Sequence, residues 1–277
     1  MKAHLVRLVP NSMKPALKKL YYFPLDLFDR LKNPNSMIPP RSMTFVGSGD
    51  FEKIGTEFKE YFIELANLQP NSRVLDVGCG IGRMAIPLTG YLSQEGEYFG
   101  FDIVIKGIEW CRNRISSKFS NFTFQHSDVY NKYYNPKGNV LARDFRFPSE
   151  DAYFDFVFLT SVFTHMLPMD LENYLSEISR TLKPGGKCLI TFFILNDESQ
   201  ALLQSGLSTL AFSHEIEGCL TVNKKIPEDA VAYQEAFVLA LFKKYGLEID
   251  QPIHYGSWCG RDSFLTYQDL VIATKTG

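Results

Sequence analysis

The chain has little that would mark a secreted, metal-bound or nucleic-acid-binding protein. Its five cysteines are scattered, odd in number and without a C-x-x-C pair. That argues against both a zinc site and a disulfide framework, so no metal is expected. Such usage fits a reducing compartment, and the expected setting is cytoplasmic. No apolar run is long enough to span a bilayer. A net charge of −2 offers no excess of positive charge for a polyanion, so nucleic acid is not an expected partner. What remains is an ordinary globular composition, 45% hydrophobic and 22% charged over 277 residues. That length suffices for one large α/β domain with additions and a sizeable core.

The informative stretch is Val74-Leu-Asp-Val-Gly-Cys-Gly-Ile-Gly-Arg-Met-Ala-Ile86. An apolar run breaks at glycines 78, 80 and 82 and resumes as helix-forming sequence, which predicts a buried strand, a tight turn and a helix start. Glycines there let the backbone turn sharply and let a ligand lie against the main chain. A dinucleotide fingerprint spaces its glycines G-x-G-x-x-G. Here Asp76 stands two residues before the first of three alternating glycines. An acid in that place repels a pyrophosphate but holds an ammonium, so the spacing favours a zwitterionic amino-acid cofactor.

VLDVGCGIGR resembles motif I of the class I S-adenosylmethionine-dependent methyltransferases, and the resemblance extends over roughly residues 50–275. It implies an α/β fold, a Rossmann-like sandwich of seven strands, six parallel and the last antiparallel. The implied cofactor is S-adenosyl-L-methionine, held by Asp76, Gly78, Cys79, Gly80, Gly82, Arg83, Asp102, Ile103, Asp128, Val129, Thr160 and Ser161. Asp102 closes a second strand, Glu97–Asp102, where a carboxylate can bridge both ribose hydroxyls; capping the helix at 104–118 is its other reading. In the family an acid just after the third strand, here 121–125, accepts from the adenine amino group, and Asp128 fits that place. Cys79 needs only to be small, and no chemistry is assigned to it.

Other segments are read in chain order. Residues 1–32 hold seven Lys/Arg against Asp26 and Asp29, interleaved with Leu17, Leu20, Tyr21, Phe23, Leu25, Leu27 and Phe28. Pro10, Pro15 and Pro24 interrupt them, unlike a secretory signal. This arm, with a linker to residue 40, reads as a helix packing on the body or as a basic-aromatic face for an anionic membrane or a partner. The domain proper is expected at 41–277. Its first helix, 51–68, follows the loop MTFVGSGD; in the family that helix often serves as a lid. Helices are expected at 83–92, 104–118, 169–182 and 231–245, and strands at 154–160, 187–194, 247–254 and 264–275. Residues 130–148 form a long loop, aromatic and basic. LKPGG, 182–186, reads as a reverse turn. Residues 195–230 lose sheet rhythm and read as an insertion over the acceptor pocket.

The expected function is methyl transfer, with a small-molecule or glycan-type acceptor methylated on oxygen. The Asn/Asp-Pro-Pro-Tyr/Phe tetrapeptide of amide and nucleobase N-methylation is missing after the fourth strand, where Thr160-Ser161-Val162-Phe163 stands. His165 follows at the edge where open α/β sheets bind ligands, and it is the candidate general base. His165, His214, Tyr255, Trp258 and Arg261 are the candidate acceptor contacts, although Trp258 can equally plug the core. A non-methylating enzyme using the same cofactor and a silent cofactor-binding module are the alternatives. Intact acids and glycines argue against silence.

Overall fold

The computed structural model describes residues 14–277 apart from Val46 and Ser48. Lys2, Arg7 and Pro10 of the basic arm therefore lie outside the described residues. Helix α1, Lys14–Lys32, includes Pro24 and is followed by a linker and by helix α2, Phe51–Glu64. Asp50 caps α2 by accepting from Glu52 N and Lys53 N at 3.1 and 3.0 Å, which satisfies donors that a helix start leaves open.

The sheet begins with β1, Arg73–Val77, then helix α3, Ala85–Leu88, and β2, Glu97–Asp102. Helix α4, Ile105–Cys111, runs into a π turn at Arg112–Ser116, and β3 is Phe122–His126. β4, Phe154–Leu159, leads through a 3₁₀ turn into α5, Pro168–Thr181, and β5, Leu182–Phe192. A short β6, Ile194–Leu195, precedes α6, Asp197–Gln204; β7, His214–Ile216; β8, Cys219–Thr221; and β9, Val231–Gln234. Helix α7, Glu235–Lys244, β10, Leu247–Ile249, and β11, Asp269–Lys275, complete the chain.

Seven strands form the main sheet in the order β10-β11-β5-β4-β1-β2-β3. Pairings β1–β2, β1–β4, β2–β3 and β4–β5 are parallel, and β11 runs against both β5 and β10. The order reverses between β4 and β1, which opens a crevice at their carboxyl ends. Side chains alternate across the sheet. Leu75, Val77, Val157 and Leu159 join α5 and α7 in one core, while Val74, Phe156 and Phe158 join α2, α3 and α4 in the other. Phe62 of α2 settles on β4, its ring 4.4 Å from that of Phe158.

Several expectations need correction. Residues 195–230 are not without sheet: β6, β9, β8 and β7 make a second, four-stranded sheet around Phe193, Phe212 and Trp258. Its strands span two to four residues, too few to show a period of two. LKPGG is taken into β5, with Gly185 at φ 77° and a register shift opposite Phe154 and Phe156. The helix expected at 83–92 shrinks to one turn, and the strand expected at 247–254 ends at Ile249. Residues 231–234 are strand, not helix.

Candidate active site

The glycine turn leaves β1 with Gly78, Gly80 and Gly82 at φ 81°, 58° and 84°. A Cβ on Gly78 would lie 2.4 Å from Val162 Cγ2, and one on Gly82 would lie 2.9 Å from Ile115 Cδ1. The turn is thus pressed between the segment after β4 and the π turn, and side chains are excluded for space as well as for backbone conformation. Gly78 N and Cys79 N donate to Phe101 O at 2.9 and 3.0 Å. Cys79 is buried, which pushes its thiol well up.

Asp102 is aimed at this turn. Its Oδ2 accepts from Gly80 N and its Oδ1 from Val104 N, each at 2.7 Å. The carboxylate thus stands at the strand end, tied both to the turn and to the residue ahead of the next helix. Each oxygen keeps a lone pair for a further donor. Burial raises its pKa, and the amides at Val104 and Gly80 oppose that. Asp76 lies deeper, almost wholly buried. Its Oδ2 accepts the Tyr98 hydroxyl, whereas Oδ1 is buried with no partner. Burial pushes the Asp76 carboxyl up to about 8, opposed by the Tyr98 hydrogen bond, reinforced by Asp102 and opposed again by Arg83. A buried carboxylate oxygen that lacks a donor suits the ammonium of an amino-acid cofactor.

Segments ahead of β1 approach the turn closely. Phe45 Cζ comes within 3.1 Å of a Cβ built on Gly107, and that same Cβ would meet Gly80 O at 2.3 Å. A Cβ on Gly47 would lie 3.6 Å from Arg83 Nη1, while α2 approaches so closely at Gly55 that a Cβ would meet Arg83 O at 2.5 Å.

At the far end Ser127 N donates to Asp102 O at 3.0 Å, and a His126 ring nitrogen lies 3.2 Å from the half-buried Ile103's carbonyl. Asp128 is exposed; Oδ2 accepts from Asn139 Nδ2 at 2.5 Å, and its carbonyl accepts from Asn139 N and Val140 N. Val129 is buried and bridges Val140, so the loop 130–148 folds back beside β3.

After β4, Thr160 is half-buried and Ser161 adopts φ 59°, strain of the kind that collects at functional turns. Thr191 Oγ1 receives Ser161 N at 2.7 Å, and Ser161 Oγ donates to Gln268 at 3.0 Å. His165 Nδ1 lies 2.9 Å from Glu228 O, and its ring stands edge-on to Tyr134. A carbonyl only accepts, so Nδ1 carries a proton, and in the neutral ring the lone pair is on Nε2.

The remaining acceptor candidates separate. Trp258 is fully buried, donates Nε1 to Asp269 Oδ2 at 2.9 Å and packs on Phe193 and Phe212, so it plugs the core. Arg261 is likewise drawn inward. It pairs with Glu198 at 2.7 Å and Asp269 at 3.5 Å, reaches Asn196 Oδ1 and Gly256 O, and lies over the Tyr255 ring. Both side chains thus face inward, Trp258 as the core plug that was its other reading. Tyr255 is half-buried with its hydroxyl given to Glu235, and His214 is exposed on β7. Two clefts, of about 410 and 640 Å³, lie around Asn121 and Tyr153 and around Arg73 and Lys183, at the opposite, amino-terminal edge of the sheet.

Sequence reasoning passed over Asp269, the hub of this half. Fully buried, it accepts from Ile194 N and Gly256 N at 2.6 Å each and from the Trp258 indole, with Arg261 paired beside it. Burial pushes its carboxyl up to about 6, against those amides, the indole and the guanidinium. Its one signal was an acid standing directly before the apolar run at 270–273.

Fold and glycine turn together define a methyl-transfer scaffold. The chain belongs to the family described as "Methyltransferase domain", whose profile matches residues 68–237. Its class is the S-adenosylmethionine-dependent class I methyltransferases, and the cofactor is S-adenosyl-L-methionine. Among curated relatives, phosphoethanolamine N-methyltransferase 1 of Arabidopsis thaliana is 27% identical over 147 residues, 52% of this chain and 26% of that protein. Sterol 24-C-methyltransferase of Schizosaccharomyces pombe is 30% identical over 140 residues, 50% and 32% of the two chains. A tRNA N(3)-cytidine methyltransferase of Gallus gallus is 25% identical over 158 residues, 54% and 38%. The chain thus spans well under half the length of these relatives. A solved protein of Pyrococcus horikoshii OT3 shares the fold at a TM-score of 0.58 and 19% identity, covering 85% of this chain and 95% of that one.

Proposed function

We propose that this chain transfers a methyl group from S-adenosyl-L-methionine to an oxygen of a small-molecule or glycan-type acceptor, with His165 as the base. The cofactor supplies, when bound, a methyl group already activated on a sulfonium. Asp76 Oδ1 holds its ammonium, the glycine turn gives its main chain room, Asp102 takes the ribose hydroxyls and Asp128 the adenine amino group. Ser161, fastened to β5 and to the residue ahead of β11, fixes the turn that carries His165. Nε2 takes the acceptor's proton, and the Glu228 carbonyl, bonded to Nδ1–H, steadies the imidazolium that forms. Alignment is worth on the order of 7–11 kcal/mol, and a positioned base adds about 10²–10⁴-fold.

The observation that carries this reading is the bond from His165 Nδ1 to Glu228 O at 2.9 Å, which commits the ring to the tautomer a base needs. The test is kcat for His165→Ala and His165→Gln with S-adenosylhomocysteine affinity measured separately. A kcat that survives both substitutions sinks the assignment.

One observation favours a nitrogen acceptor instead. Glu228 Oε2 is buried with no partner, in the residue that holds His165, and a cationic amine would satisfy it. The Arabidopsis relative is by name an N-methyltransferase and the Gallus gallus relative acts on tRNA, so amines and RNA belong beside alcohols in a screen with labelled cofactor.

A further inference from the structure

Helix α1 turns an apolar stripe away from the body. Leu17, Leu20, Tyr21, Leu27, Phe28 and Leu31 recur at three- and four-residue spacing, on one side of the helix. Leu20 is 74% exposed, Phe28 66% and Leu31 75%. The opposite side is the one that is tied down. Asp26 accepts from Arg41 N and Ser42 N at 2.8 and 3.2 Å, Asp29 pairs with Arg41, and Lys18 donates to Thr44 O. The linker is tied as well: Trp110 Nε1 donates to Met37 O, Arg114 to Pro34 O and Lys118 to Asn35 O. The stripe cannot turn inward without breaking these contacts.

Charge says what covers it. The helix carries five basic residues (Lys14, Lys18, Lys19, Arg30, Lys32) against Asp26 and Asp29. Residues 1–32 total +5 in a chain of net −2, so residues 33–277 total −7. No acid interrupts the stripe, and both acids of the helix lie on the tethered side. We propose that α1 lies in the interface of an anionic bilayer, with its leucines and aromatics among the acyl chains and its lysines and arginines at the headgroups. This is the geometry of an interfacial amphipathic helix. An anionic surface repels the acidic body and attracts the arm, so the protein approaches helix first. The tethers to Arg41, Ser42 and Thr44 then place Phe45, which lies beside the glycine turn, directly behind the docked helix. The inference does not depend on which acceptor is methylated.

The full chain is tested by co-sedimentation with phosphatidylcholine vesicles containing phosphatidylserine and with vesicles of phosphatidylcholine alone. Binding is expected to the first, to weaken in salt and to fall at least about tenfold in Leu20→Glu/Phe28→Glu. Arg30→Gln/Lys32→Gln should cost about fivefold per charge removed. Unchanged S-adenosylhomocysteine affinity in each variant shows that the domain is folded. Equal co-sedimentation of parent and Leu20→Glu/Phe28→Glu overturns the proposal. So does a parent that ignores both vesicles but forms a concentration-dependent dimer which that variant abolishes, because the stripe then belongs to a second copy.

Discussion

The two halves of the crevice are built by different means. Around the glycine turn most of the bonds end on backbone amides: Phe101 O takes those of Gly78 and Cys79, and Asp102 takes those of Gly80 and Val104. On the other side the parts come from β6 of the second sheet and the segment between β10 and β11, joined through the single carboxylate of Asp269. A side made of backbone tolerates change in its side chains and little change in its path. One held by a buried charge depends on that charge, and the two halves should fail separately.

The strongest way to break the contrast is Asp269→Ala. It leaves Arg261 buried without one partner, and Ile194 N, Gly256 N and the Trp258 indole without acceptors. Losing one member of such a buried pair costs about 3–5 kcal/mol. Denaturant unfolding should show that loss. In the protein that remains folded, kcat should fall while S-adenosylhomocysteine affinity stays close to normal. Equal damage to both would mean the halves are one unit.

His165 sharpens the comparison from the chemical side. Replacing it with Ala or Gln should lower kcat by about 10²-fold or more with cofactor affinity retained. Asp102→Ala should do the opposite. Each charge-assisted hydrogen bond lost to the ribose is worth roughly 1.5–3 kcal/mol before water compensates, a weakening that calorimetry with S-adenosylhomocysteine reads directly. Acceptor KM should hardly move.

The smallest effect concerns pH. Asp76 has its folded pKa raised to about 8 from 3.8, so the native state holds a proton that the unfolded chain has given up. Stability from this group is fully present below the unfolded value and is lost as pH rises through about 8. The free protein should therefore lose Tm between pH 6 and pH 9, and Asp76→Asn should flatten that slope. Asp269, pushed up only to about 6, contributes its own loss mostly below that window. An ammonium favours the charged Asp76, so the Tm gain from S-adenosylhomocysteine should grow over the same range. A pH-independent gain that persists in Asp76→Asn would remove Asp76 from the ammonium site.

Much of the geometry around the glycine turn was legible in the sequence. Three glycines at alternate positions after an apolar run favour a turn, because positive φ costs glycine nothing and Gly78 and Gly82 have no space for a Cβ. An acid closing β2 must then lie beside it, because parallel neighbours end at the same edge. These are local rules acting over a few residues. Around Asp269 the bonds that matter link it to Ile194, 75 positions away, and Arg261 to Glu198, 63 positions away. No pattern along the chain announces such a pairing. Trp258 and Arg261 looked like acceptor contacts because they stand in a connection at the correct edge. Packing turned both inward, where Asp269 satisfies the indole and shares the guanidinium with Glu198. The composition of residues 14–32 likewise indicated a basic, aromatic helix, but which of its faces would be left bare was decided by Arg41, Ser42 and Thr44 binding the other one.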